Sequence, residues 1–268
     1  MGTRVITAVL GIPFAIAVLL AGGLSLSITM LVLSIIGIYE LYNVVKEQHK
    51  PIAIFGYITV ILYYIFLHQI KDCFIVFLSI TITILLTIMV IKYPRYSVVD
   101  ITITLFGIFY TGVLFSLVVL TRESAEGLFW VWLIPISAWG SDTFAYFTGL
   151  TLGKHKLAPE LSPKKTIEGS LGGVIGAGIL GYVYILIYIA ITKSAPEVPT
   201  IIVIVAVMLS AGWSQIGDLA ASAIKRYFNQ KDFGNLLPGH GGVLDRFDSL
   251  LFVAPIIYVA AIIAESII

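Results

Sequence analysis

Between residues 214 and 248 the sequence gathers acids, bases and hydroxyls at spacings that bring them together. Ser214, Asp218, Ser222 and Lys225 recur at steps of four, four and three, so on a helix they share one face. Asp245 and Asp248 would be neighbours on one helical turn. Hard oxygen donors placed in this way suit Mg²⁺, which takes one or two carboxylates and completes its shell with phosphate oxygens and water. Gly239-His240-Gly241-Gly242 lies between the acidic groups, a turn whose missing β-carbons let backbone amides approach an anion, with His240 as a further donor. Lys225, Arg226, Lys231 and Arg246 surround it. Acidic metal ligands, a basic ring and a glycine turn are the equipment expected for a nucleoside triphosphate bound with its metal.

Two more clusters carry chemistry. Ser141-Asp142 sits inside the apolar run 128–150, where an ionised Asp costs about 2.5–3.5 kcal/mol on insertion scales, so a partner is expected. Ser162-Pro163-Lys164-Lys165-Thr166 supplies adjacent ammonium groups suited to phosphates or an anionic lipid headgroup. Plainer readings stand beside these. Lys164 and Lys165 also read as positive-inside anchors, Asp142 as an interhelical structural partner, and Glu168, Lys231 and Asp232 as solvated loop charges. Glu40, Asp100 and Glu265 lie near the ends of apolar runs and read as interfacial, while His49, His68 and His155 are isolated.

The elements that must position these groups are set by composition. Hydrophobic residues make up 59% of the 268 and charged ones only 12%, with a mean hydropathy of +1.03, so the solvent is lipid. The expected fold class is all-α, a polytopic transmembrane protein of about nine spans near 5–21, 24–44, 51–68, 73–91, 98–120, 128–150, 171–191, 200–221 and 250–267. Continuous apolar runs, without strict alternation, argue against a β-barrel. The apolar start passes through Gly22-Gly23 straight into the next run, which reads as a first span and not as a cleaved signal. With the N-terminus in the cytoplasm, only Lys71, Arg122 and Lys193 of the 16 basic residues fall outside, and the two long connections, 151–170 and 222–249, fall inside. Residues 1–127 and 128–268 are expected to form one integral unit, the second part carrying the catalytic loops. The lone Cys73 excludes an intrachain disulfide and a Cys-based metal site.

From Ser222-x2-Lys225-Arg226-x4-Lys231-Asp232-x-Gly234-x2-Leu237-Pro238-x-His240-Gly241-Gly242 to x2-Asp245-Arg246-x-Asp248, the sequence resembles the signature of the phosphatidate cytidylyltransferase (CDP-diacylglycerol synthase) family along its whole length. Ser141-Asp142 and the Ser162 to Thr166 loop also look like family features. The resemblance implies a nucleotidyltransferase reaction, CTP and phosphatidic acid giving CDP-diacylglycerol and pyrophosphate in phospholipid synthesis. It assigns Asp218, Asp245 and Asp248, with Asp142 next, to Mg²⁺, and counts Lys225 with the first three as catalytic. Lys225, Arg226, Lys231, His240 and Arg246 are then candidates for the triphosphate, Ser222, Gly241 and Gly242 bind substrate, and Lys164 and Lys165 hold either phosphate. The implied partners are CTP, phosphatidic acid and the bilayer, with no nucleic acid, in a cell membrane with the site facing the cytoplasm. Gly172-Gly173-x2-Gly176-x-Gly178 allows close helix approach within the chain or between two copies of a homodimer. The Asp-Gly-x2-Ala-Arg pattern of CDP-alcohol phosphotransferases is absent. An ion-coupled transporter using Asp142 and Asp218 is the alternative from another class; it accounts for buried carboxylates but not for His-Gly-Gly beside a basic ring.

Overall fold

The computed structural model describes residues 2–236, 239 and 241–267. Helices dominate, because in hydrocarbon every backbone N–H and C=O needs a partner within its own segment. Gly22 alone joins α1 (Gly2–Ala21) to α2 (Gly23–Val45), with φ at 61° in the left-handed region. Arg122 closes this corner: its Nε donates to the Leu19 carbonyl at 3.0 Å and its Nη2 to that of Leu20 at 3.2 Å, so a cation satisfies carbonyls at the negative end of α1.

Helices α3 (Ala53–Ile65), α4 (Leu67–Ile70) and α5 (Phe74–Ile91) follow, with a 3₁₀ turn at Lys71–Cys73. The segment expected as an unbroken span over 51–68 is interrupted at Phe66, whose φ of −107° and ψ of 24° leave the helical region. The 13 residues of α3 rise about 20 Å, short of the roughly 30 Å hydrocarbon thickness. Helices α6 (Val98–Gly107) and α7 (Leu114–Glu123) are joined into one run by a π-helical turn, Ile108–Val113. Then come α8 (Gly127–Leu152), α9 (Ile167–Thr192), α10 (Thr200–Tyr227) and α11 (Leu244–Ile267). Among the described residues, six helical runs are long and apolar enough to cross a membrane: 23–45, 67–91, 98–123, 167–192, 200–227 and 244–266. Large apolar side chains such as Ile75, Val90 and Ile191 point outward, as a lipid solvent requires. Helices α1, α3 and α8 fall outside that set, α3 by its length and α8 through its Trp, Gly and Pro residues and Asp142.

The chain is an all-α membrane protein in outline, with one unexpected addition. Strands β1 (Lys156–Ala158) and β2 (Ser162–Thr166) pair antiparallel, Lys156 opposite Thr166 and Ala158 opposite Ser162. Glu168, on the first turn of α9, anchors the base of this ribbon. It accepts from the amides of Lys154 at 3.0 Å and His155 at 3.2 Å and meets His155 Nδ1 at 2.6 Å. His155 and Glu168, read from sequence as isolated and solvated, are therefore a pair.

Buried Phe115, Phe129, Trp130, Leu133, Ile134 and Leu251 form the core where α7, α8 and α11 meet. The glycine stripe of α9 is used within the chain: a β-carbon on Gly176 would overlap the ring of Phe144 on α8, and one on Gly178 would press Met208 on α10. Asp100, at the start of its apolar run as read from sequence, has a structural use there. It is 7% exposed and completes a capping box with Ser97 at the start of α6 while accepting from the Lys50 amide at 2.6 Å.

Candidate active site

Three helices bring their carboxylates to one cavity. Asp142 from α8, Asp218 from α10 and Asp248 from the first turns of α11 line a space of about 420 Å³, together with Lys225, Asp232, Asp245 and Arg246. Asp218 stands within electrostatic range of both Asp142 and Asp248. The period of two along β2 sends its adjacent lysines to opposite faces: Lys165 turns inward and ion-pairs with Asp218, while Lys164 is exposed. An adjoining cavity of about 390 Å³ shares Asp142 and is lined by Lys164, Lys165, Thr166, Ser170 and Gln215.

The loop before α11 is organised by two carboxylates. Asp245 Oδ1 lies 2.6 Å from Lys225 Nζ, in a pair whose side chains are 3% and 13% exposed. Its Oδ2 accepts from the amides of Phe233 at 2.8 Å and Gly242 at 2.9 Å. Lys225 Nζ also lies 5.3 Å from the centre of the Phe233 ring. Glu40 reaches across from α2 and accepts from the amides of Val243 at 2.8 Å and Leu244 at 2.9 Å, placing negative charge at the positive end of α11. At 2% exposure Glu40 is not interfacial, which corrects the sequence reading. Its fit explains two glycines, since a β-carbon on Gly242 or Gly234 would come within 2.6 or 2.7 Å of its carboxylate oxygens. Gly241 takes φ at 85°, which favours glycine. The amides of residues 242–244 thus face protein carboxylates, whereas the sequence reading turned the glycine amides toward a bound anion.

Sequence reasoning also passed over Gln215 and Tyr110. Gln215 Nε2 donates to Ser141 Oγ at 3.0 Å and to the Ser170 carbonyl at 3.1 Å, and its Oε1 accepts from Ser170 Oγ, tying α8, α9 and α10 together beside Asp142. Tyr110, on the π-helical turn, is 5% exposed, has a hydroxyl without a hydrogen-bond partner among the described residues, and lies within electrostatic range of Asp248, Asp245 and Asp218. A Gln between two Ser-bearing helices carries no signal of its own in sequence. Glu40 did: a carboxylate in an apolar run needs a partner, by the reasoning applied to Asp142.

Not every expected residue meets the cavity. Arg226 is exposed and donates through Nη1 to the Gln230 carbonyl at 3.3 Å, Lys231 is exposed in the loop, and Ser222 is half-buried one turn beyond Asp218. None of the three lines either cavity. His240, Leu237 and Pro238 lie outside the described residues. For Mg²⁺ the donor set is of the right chemistry, hard carboxylate oxygens facing one polar space. Among the described residues no three acidic, His or Cys groups stand close enough to enclose an ion alone. An ion held by one or two carboxylates and by substrate phosphates asks for no more, so the residues fit.

A family model described as "Cytidylyltransferase family" matches residues 2–264. The phosphatidate cytidylyltransferase of Staphylococcus saprophyticus is 36% identical over 268 residues, covering 98% of this chain and 99% of its own. That of Bacillus subtilis is 32% identical, with 96% of each chain covered. That of Staphylococcus epidermidis is 34% identical, with 98% and 99% covered.

Proposed function

The chain belongs to the cytidylyltransferase family, and from that premise we propose that it transfers the cytidylyl group of CTP to phosphatidic acid, leaving CDP-diacylglycerol in the bilayer. The enzyme is a membrane nucleotidyltransferase of phospholipid synthesis. The observation that carries the reading is the single polar cavity where Asp142, Asp218 and Asp248 meet Lys225 and Arg246. Full-length relationship to cytidylyltransferases gives ion-coupled transport no support.

A phosphate oxygen of phosphatidic acid attacks the α-phosphorus of CTP, the bond from that phosphorus to the bridging oxygen breaks, and pyrophosphate leaves. No covalent enzyme intermediate is required, so the protein contributes position and charge. Asp218 and Asp248, with Asp142 beside them, would hold Mg²⁺, which when bound neutralises charge developing on the phosphates. Arg246 and Lys164 bring cations to the two cavities and bind phosphate groups. Lys165 holds Asp218 in place from β2. Asp245, with all its described bonds directed to Lys225 and the loop amides, acts as a positioning residue.

The chain crosses the bilayer nine times, α3 making one crossing and the run from α4 through α5 the next, with its N-terminus and the cavity on the cytoplasmic side where CTP is found. The test is incubation of purified protein with CTP, phosphatidic acid and Mg²⁺, following pyrophosphate and CDP-lipid. Both products should appear together and cease when the divalent ion is chelated. Absence of CDP-lipid with every phosphatidic acid species tried overturns the reading.

A further inference from the structure

An apolar chamber of about 340 Å³ lies among α1, α2, α7, α8 and α11, and the function proposed above leaves it unused. Its walls include Ala15, Val18, Met30, Val118 and Val131. At one end stand Trp139, Arg246 and Leu250, and the same three residues line the polar cavity that holds Asp142, Asp218 and Asp248. The two spaces therefore share a wall that includes the Arg246 guanidinium. From Trp139 the chamber extends along α8 to Val131, eight residues or about 12 Å of helix, away from the polar cavity. Leu26, at the start of α2 and fully buried, lines it as well.

Resting on the cytidylyltransferase reading, we propose that this chamber seats an acyl chain of the phosphatidic acid substrate, with the lipid phosphate at Arg246 and the glycerol at the junction. The join selects this occupant. With a divalent ion on the carboxylates and Arg246 beside it, a ligand reaching into both spaces is anionic at one end and an unbranched apolar chain at the other. A soluble nucleotide meets the first requirement only. The partly exposed rim at Gly11, Ile12 and Phe14 of α1 gives the chain a way in from the bilayer. The adjoining cavity at Lys164 and Tyr146 is the competing lipid route, and the experiment separates the two.

Filling the chamber should discriminate by chain length. A β-carbon at Gly11 meets nothing within 4 Å, so Gly11→Leu extends into open space without strain, and Ala15→Phe fills more of the chamber. In detergent with saturating CTP, each variant should raise KM for dioleoyl phosphatidic acid at least several-fold. KM for the dihexanoyl species, and for CTP, should stay within twofold of wild type. Wild-type protein given a phosphatidic acid with a photoreactive diazirine near the chain end should be labelled in the α1, α2 or α7 walls. Unchanged KM for the long-chain lipid in folded Gly11→Leu, or labelling confined to the α8–α9 face around Tyr146 and Leu150, overturns the chamber while leaving the enzymatic reading intact. Wild type inactive toward both lipids overturns the function and the chamber's role with it.

Discussion

Asp218 meets Lys165 where the two side chains keep 32% and 27% of their surface open, whereas Asp245 meets Lys225 at 3% and 13%. The Asp218 pair is about one-third open although Lys165 Nζ itself is shielded, so breaking it should cost less than breaking the buried pair, which leaves an uncompensated charge at a cost of about 3–5 kcal/mol. Asn at the two positions should therefore give different phenotypes. Asp218→Asn loses the charge that would hold a divalent ion, so turnover should fall by orders of magnitude while the melting temperature in detergent falls less than in Asp245→Asn. Asp245→Asn also strands Lys225 and weakens the bonds to the Phe233 and Gly242 amides, so activity and melting temperature should fall together. Thermal melts and turnover on the same preparations decide it, and an active Asp218→Asn at saturating Mg²⁺ removes that residue from the metal site. The sequence presents the two aspartates alike, as acids at helical spacing. What separates them is the pair of amides, of Phe233 and Gly242, that come onto Asp245, a contact set by tertiary packing and not by local pattern.

Helix α11 begins at its chemistry, with Asp245, Arg246 and Asp248 on its first turns, so whatever fixes its N-terminus fixes the site. Glu40 does this from α2, across more than 200 residues of chain, through the amides of Val243 and Leu244. Gln is close in shape but neutral, and it turns one acceptor into an N–H₂ group facing backbone donors, weakening charge-assisted bonds worth about 1.5–3 kcal/mol each. A displacement on the order of 1 Å at reacting groups can cost about 100-fold in rate, so Glu40→Gln should lower kcat by tenfold or more. Glu265 provides the comparison. It is an exposed acid accepting from the Ala125 amide near the chain end, and Glu265→Gln should stay within twofold of wild type. Equal activity of the two variants, measured with both substrates saturating, would falsify the positioning role. The acidic and glycine motifs that meet at this helix start were legible from spacing, because helical periodicity is local. The β1–β2 ribbon and the reach of Glu40 were not, since a three-residue strand has too short a period to register and a buried acid names no partner.

Across the whole molecule, apolar run length marked every helical segment to within several residues, because in lipid the backbone has little alternative to helix. It could not foresee the break at Phe66, which no residue type in that run announces. Orientation is the remaining large-scale property, and it rests on basic residues: in the proposed nine-crossing arrangement Lys46, Lys50, Lys92, Lys154, Lys156, Lys164 and Lys225 fall on one side, with Lys71, Arg122 and Lys193 on the other. Arg122 has a structural use at its end of α7, capping the carbonyls of α1, so its presence outside does not weaken the bias. The chain carries its own reporter. Cys73 is exposed at the turn between α4 and α5, which the arrangement places outside, and it is the only cysteine. An impermeant maleimide added to intact cells should label the unaltered protein at Cys73. In a Cys73→Ser background, a cysteine at the exposed Asn229, in the loop after α10, should label only once the membrane is opened. Labelling of Asn229→Cys from outside would place the polar cavity away from cytoplasmic CTP and sink the topology, whatever the purified enzyme does in detergent.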